Sequence, residues 1–143
     1  MTEAGAAPEE KDPVLIAPGT AERGDDGWRI VGSTCAPCGV VEFPAQEFCR
    51  RCENSMTRQS LGRRGVVYAH TTVHIKPPFG LPKPYSAALI DLEDAPTRIY
   101  SLLDPAQSFA IGDRVEAVVG PLGCDEKNRP CLRLYFTKRE EGP

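Results

Sequence analysis

Histidine is scarce in this chain: His70 and His74 are the only two in 143 residues. The short motifs that carry many common chemistries are missing too. There is no G-x-S-x-G, no Walker-type phosphate loop, no H-E-x-x-H and no dinucleotide fingerprint. These absences remove the usual hydrolase, nucleotide-dependent and metalloprotease readings. No apolar run approaches the roughly 20 residues that a helix needs to cross a bilayer, so no membrane partner is expected. The formal net charge of −3 supplies no general attraction for nucleic acid or an anionic membrane. Residues 1–11 are polar and acidic with no apolar core segment, so no secretory leader is read and a reducing, cytoplasmic setting is expected.

Cysteine, by contrast, is present in a pattern. Cys35 and Cys38 form one C-x-x-C pair, Cys49 and Cys52 a second, with ten residues between the pairs. Each C-x-x-C turn presents two thiolates side by side, and two such turns close a tetrahedron around one metal ion. A disulfide pair fits poorly with reducing surroundings, and a redox C-x-x-C would stand alone. The expected cofactor is therefore one structural Zn2+ held by Cys35, Cys38, Cys49 and Cys52, with iron an alternative that the spacing leaves open. Four protein ligands leave no place for water or substrate, so the site is expected to staple rather than to catalyse. Gly39 follows the first pair, where the turn needs unusual backbone angles. A segment of about thirty residues around the cysteines is too small to fold on core burial alone and would draw its stability from the metal.

The hydrophobic fraction of 41% is enough for one ordinary domain or a ribbon plus a small domain. Residues 1–18 carry Ala, Gly, Pro and acidic side chains without periodicity and read as a disordered arm. Residues 19–60 read as a zinc ribbon preceded by a loop or short helix, with a first strand over 28–33. Residues 61–138 read as a barrel and 139–143 as a tail. Strands are predicted over 65–75, 85–92, 98–103, 114–119 and 131–137 from β-branched and aromatic runs. The stretch 111–115 reads as a turn feeding a strand, and 120–130 as a hairpin loop. Five strands in about 75 residues fit a Greek-key barrel of the OB type, giving an all-β chain.

Ribbon and barrel together, from about Trp28 to Thr137, resemble a family long catalogued as a domain of unknown function, in which a rubredoxin-like zinc ribbon precedes an acyl-CoA-associated OB-fold. The resemblance is carried by Phe43-Pro44 between the cysteine pairs and by the strand opening Gly65-Val66-Val67-Tyr68-Ala69-His70-Thr71. Pro84-Tyr85-Ser86-Ala87-Ala88-Leu89-Ile90 after a proline-rich loop and Ile111-Gly112-Asp113-Arg114-Val115 complete it. It implies a non-catalytic accessory subunit of a thiolase or acyltransferase complex acting on acyl-CoA thioesters. Related subunits serve thiolytic cleavage in aromatic degradation through benzoylsuccinyl-CoA, sterol side-chain degradation and acyl transfer to phloroglucinols. The implied partner is a thiolase-like catalytic subunit, with acyl-CoA at or near the interface.

Outside the four cysteines the residues are less specific. Arg50, Arg51, Arg58, Arg63 and Arg64 against Glu53 make a basic cluster suited to CoA phosphates or an acidic partner face, and equally to a solvated edge beside a negative metal-thiolate centre. Residues 76–85 hold four prolines, which stiffen a loop that carries Phe79, Leu81 and Tyr85 as anchors for a partner or as a lid. The opposing expectation is a loop folded onto its own barrel. His70 and His74, at even spacing in a strand, fall on one face without need of a metal. Cys124 reads as a loop thiol and Cys131 as a packed strand cysteine, neither set up as a nucleophile. The alternative function is a module binding single-stranded nucleic acid, against which stand an aromatic content of 7% and the acidic balance.

Overall fold

The computed structural model describes residues 15, 17, 19–25, 27–78, 80–125 and 127–139. The arm expected over 1–18, save Leu15 and Ala17, and the tail expected over 139–143, save Arg139, lie outside the described residues. Every regular element among them is a strand: β1 (Ala21–Gly24), β2 (Gly27–Thr34), β3 (Val41–Glu42), β4 (Thr57–Gly62), β5 (Arg64–Val73), β6 (Tyr85–Leu92), β7 (Arg98–Leu103), β8 (Arg114–Cys124) and β9 (Pro130–Lys138).

The first four strands form one sheet in which β2 is central. It pairs antiparallel with β1, with β3 and, along Ile30 to Thr34, with β4. Residues 20–26, read as loop or a single helical turn, instead supply β1. Gly24 pairs with Gly27, which leaves a two-residue connection, and Gly27 takes φ 119. Two acidic residues between two glycines are a tight-hairpin signal, and a glycine there relieves the turn of Cβ crowding.

The last five strands close into a barrel in the order β5-β6-β7-β9-β8. All neighbours are antiparallel except β7 and β9, which run parallel through Leu102↔Tyr135 and Leu103↔Phe136. That order, with its one parallel seam, is the five-stranded Greek-key barrel of the OB-fold. The pleat explains the core. Ala88, Ile90 and Leu92 on β6, Ile99 and Leu103 on β7, and Val115 and Ala117 on β8 sit at alternate positions and are buried around Phe136. Their neighbours Leu89, Asp91, Arg98, Tyr100 and Leu102 point outward by the same alternation.

One prediction about β8 changes in length. Gly120, Pro121 and Gly123 read as a hairpin loop, yet β8 runs on to Cys124 and pairs through Pro121↔Leu132 and Cys124↔Pro130 with a register shift between them. A bulge absorbs the proline and glycine, which a strand tolerates there. The hairpin loop shrinks to 125–129.

Sheet and barrel share one core. Ile30 of β2 and Leu61 of β4, both fully buried, belong to the same apolar cluster as Val67, Ile90 and Phe136. At the link between β4 and β5 a backbone hydrogen bond ties the chain to the barrel, with Ala117 donating to the Arg63 carbonyl (2.7 Å).

Candidate metal centre

The two cysteine turns are built alike. β2 ends at Thr34, the first turn follows, and β3 begins at Val41. In it Gly39 donates to the Cys35 carbonyl (2.7 Å) and Cys35 donates to that of Val40 (2.9 Å). In the second turn Glu53 donates to the Cys49 carbonyl (2.9 Å) and Cys49 to that of Asn54 (2.8 Å), bracketed by an isolated bridge between Phe48 and Ser55. Gly39 and Glu53 occupy equivalent places, with φ of 74 and 66. The left-handed angle turns the chain back so that both thiols of a pair face the same point.

The two turns bring all four Sγ atoms within 4.8 Å of one another, with Cys35 and Cys52 at 3.4 Å. Four sulfurs bound tetrahedrally at about 2.3 Å from one ion stand about 3.8 Å apart, so the set fits a thiophilic cation. Cys35 and Cys49 are buried, Cys38 and Cys52 partly exposed. The thiols are unequal as acids. Cys52 is held down to about 6, first by a hydrogen bond from the Asn54 backbone. Cys49 is lowered by the backbone N–H groups of Cys52 and Arg51. Cys38 is pushed up to about 12 by its hydrogen bond with Cys52 and then by burial. The Cys38 N–H pulls Cys35 down, yet burial and hydrogen bonds with Cys52 and Cys49 carry it above the ordinary value. A bound cation would favour the thiolate at all four. Joined through one ion, the turns would cross-link the β2–β3 and β3–β4 connections.

The arginine cluster is partly committed. Arg50 pairs with Glu42, and Arg58 with Glu22 at 3.0 Å. The Arg63 guanidinium packs over Gly27, where a Cβ would lie 2.7 Å from it. Arg51 and Arg64 are exposed, and the Arg51 N–H donates to Cys49 Sγ at 3.4 Å. Of the loop anchors, Phe79 lies outside the described residues. Leu81 and Tyr85 are half-buried and line a hollow with Leu102, Leu103, Pro105 and Leu122 of the barrel itself. The loop also rests on Cys124, whose Sγ would be 2.8 Å from a Cβ at Gly80. His70 on β5 and His74 just past it are exposed, and Cys131 is buried with its thiol toward the Leu122 carbonyl.

Sequence reasoning did not pick out the outer face of β5, β6 and β7. Tyr68, Leu89 and Tyr100 are exposed there, at 48%, 37% and 64% of their surface, beside a depression of about 290 Å³ lined by Ala69, Thr71 and Ala87 together with Leu89 and Tyr100. The register Ala69↔Leu89↔Tyr100 sets the row. A bulge between Val67 and Ala69 turns Tyr68 out, and the Arg98 guanidinium lies 3.3 Å from its ring centre. Arg98 in turn grips Asp91 with two hydrogen bonds of 2.6 and 3.2 Å. The alternation of residues 87, 89 and 91 and of 98, 100 and 102 held this face in the sequence; the bulge that adds Tyr68 did not show.

The family model described as "ChsH2, C-terminal OB-fold domain" matches residues 58–120. The benzoylsuccinyl-CoA thiolase subunit BbsA of Thauera aromatica is 32% identical over 136 residues, which cover 92% of this chain and 93% of that one. The chain belongs to the BbsA family. The BbsA of Geobacter metallireducens is 29% identical over 133 residues, 90% of this chain and 89% of that protein. A DUF35 domain-containing scaffold protein of Methanocaldococcus jannaschii is 33% identical over 93 residues, 62% of this chain and 66% of its own length. Among solved structures, the Ltp2-ChsH2(DUF35) aldolase superposes with a TM-score of 0.56 over 77% of this chain and 84% of that one, at 24% identity, a likeness of fold. Ribbon followed by OB barrel is thus the architecture of this BbsA-family chain.

Proposed function

We propose that this BbsA-family chain is the small, non-catalytic subunit of a thiolase-type complex that acts on acyl-CoA thioesters. The observation that carries the reading is similarity to a thiolase subunit along nearly the whole of both chains. In this reading the four cysteines hold one structural Zn2+, which locks residues 19–60 as a ribbon on a barrel of residues 61–138. The partner supplies the nucleophile and the acid-base groups. This chain stabilises the partner, shapes its acyl-CoA site and keeps water out. Arg50, Arg51, Arg63 and Arg64 are the candidates for CoA phosphates or partner carboxylates, and the loop held by Leu81 and Tyr85 borders the site. The reaction favoured is thiolytic C–C cleavage, of an aromatic such as benzoylsuccinyl-CoA or of a sterol side chain.

Affinity purification of the tagged chain from its own cells, with mass spectrometry and a thiolysis assay on the eluate, tests this. Stoichiometric recovery of a thiolase-like protein with activity is the expected result; recovery of the chain alone, without thiolysis, would overturn it. Zinc analysis and Cys49→Ser test the metal separately. The variant should lose the ion and much soluble yield, because three thiolates leave the sphere incomplete.

Tyr68 and Tyr100 on an OB face also suit base stacking, which favours single-stranded nucleic acid as a second reading. Against it, Arg98, the cation beside them, is neutralised by Asp91. Oligonucleotide binding that falls steeply with salt would be the mark of that function.

A further inference from the structure

The two cysteine turns share backbone geometry but differ at one equivalent position, and the difference falls on the sulfurs. Val40 and Asn54 play the same backbone part, each offering its carbonyl to the first cysteine of its pair. Asn54 adds a side-chain donor, with Nδ2 at 3.2 Å from Cys52 Sγ. Valine has no such group. The second turn also directs the Arg51 N–H to Cys49 Sγ at 3.4 Å. An N–H donor spreads the negative charge of a thiolate and fixes its direction, so it strengthens the metal bond's retention and blunts the sulfur toward electrophiles. Access does not favour Cys38, since Cys52 is at least as open to solvent.

We infer that Asn54 is a positioning residue that makes the second turn the retaining half of the metal site, and that ligand loss begins in the first turn, at Cys38. This rests on the reading of the four cysteines as a metal centre. It adds an order of release, and with it the place where an electrophile or a competing chelator enters.

The near-twofold relation supplies its own control. Asn54→Val copies the first turn into the second, and Val40→Asn offers Cys38 a side-chain donor of the kind Asn54 gives Cys52. The full-length, zinc-loaded protein and both variants would be titrated with a chromogenic chelator. The metal-loaded proteins would also be treated with limiting N-ethylmaleimide, and the modified cysteines mapped by mass spectrometry. Asn54→Val removes the side-chain donor and keeps the backbone one, so it should weaken zinc retention on the order of tenfold and raise the reactivity of Cys52 toward that of Cys38. Val40→Asn should retain zinc at least as well as the parent and slow modification of Cys38. In the parent, Cys38 should be alkylated before Cys52. Stoichiometric zinc with unchanged retention in Asn54→Val, or with Cys52 modified first in the parent, would overturn the inference while leaving the metal centre intact. A chain that takes up no zinc would overturn both. Cobalt substitution adds a readout that a merely structural role would not move: the sulfur-to-metal charge-transfer band should shift in Asn54→Val and not in a variant of an exposed residue remote from the four sulfurs.

Discussion

Gly39 and Glu53 hold the same place in the two cysteine turns, at φ 74 and 66, and only one of them is a glycine. A side chain in the left-handed region costs about 1–2 kcal/mol. Space is open around Gly39, with nothing within 4 Å of where a Cβ would lie, so any cost of Gly39→Ala is conformational rather than steric. Gly39→Ala should therefore lower stability by about 1–2 kcal/mol. Glu53→Gly relieves the same strain at the second turn but frees the unfolded chain, for a smaller net gain of about 0.5–1 kcal/mol. Urea unfolding of the metal-loaded proteins reads both; equal and opposite signs are not expected, but opposite directions are. The cysteines and Gly39 were legible as a site because ligand spacing is a local property of sequence. Asn54 was not, because its importance comes from the direction in which its side chain points.

Among the elements, the connection after β6 and the end of β9 are tied by one ion pair. Arg139 meets Glu93 with two hydrogen bonds of 3.2 and 2.8 Å, and these hydrogen bonds, first among the causes, hold the Glu93 carboxyl below its usual range. A carboxylate whose folded pKa is depressed adds stability above its unfolded value and loses it as pH falls through the folded one. The parent should thus lose more stability on acidification than Glu93→Gln does, and the two should converge at the acid end; urea midpoints across the carboxylate range check this. Strand existence was mostly plain from β-branched and aromatic runs, and the bounds of β6 and β7 were read residue for residue. What escaped were the short strands β1, β3 and β4. Each gains its hydrogen bonds from β2 rather than from a pattern of its own. β8 was read short because Pro121 and Gly123 look like a turn until a partner strand absorbs them in a bulge.

At the scale of the molecule, the metal-centre sheet and the barrel are joined through Ile30 and Leu61, each fully buried in the common core. Full burial of such a side chain is worth about 1.5–3 kcal/mol, and truncation in a packed core costs more. Leu61→Ala should cost about 2–5 kcal/mol and should weaken barrel and metal retention together. Loss of barrel stability by near-UV circular dichroism with zinc release unchanged would show that the two parts stand independently. The partner experiment belongs to this scale too, since the face of Tyr68, Leu89 and Tyr100 exists only once three strands lie side by side. The sequence by itself determined the four-thiol site, the all-β class and five barrel strands, because ligand spacing and side-chain alternation are written within a few residues. The tertiary structure decided the closure of the barrel through the parallel β7–β9 seam, the core shared by sheet and barrel, the donor that singles out Cys52 and the apolar outer face. Each of these depends on groups whose meeting is set by turn geometry, strand order and register rather than by any local pattern of residue types.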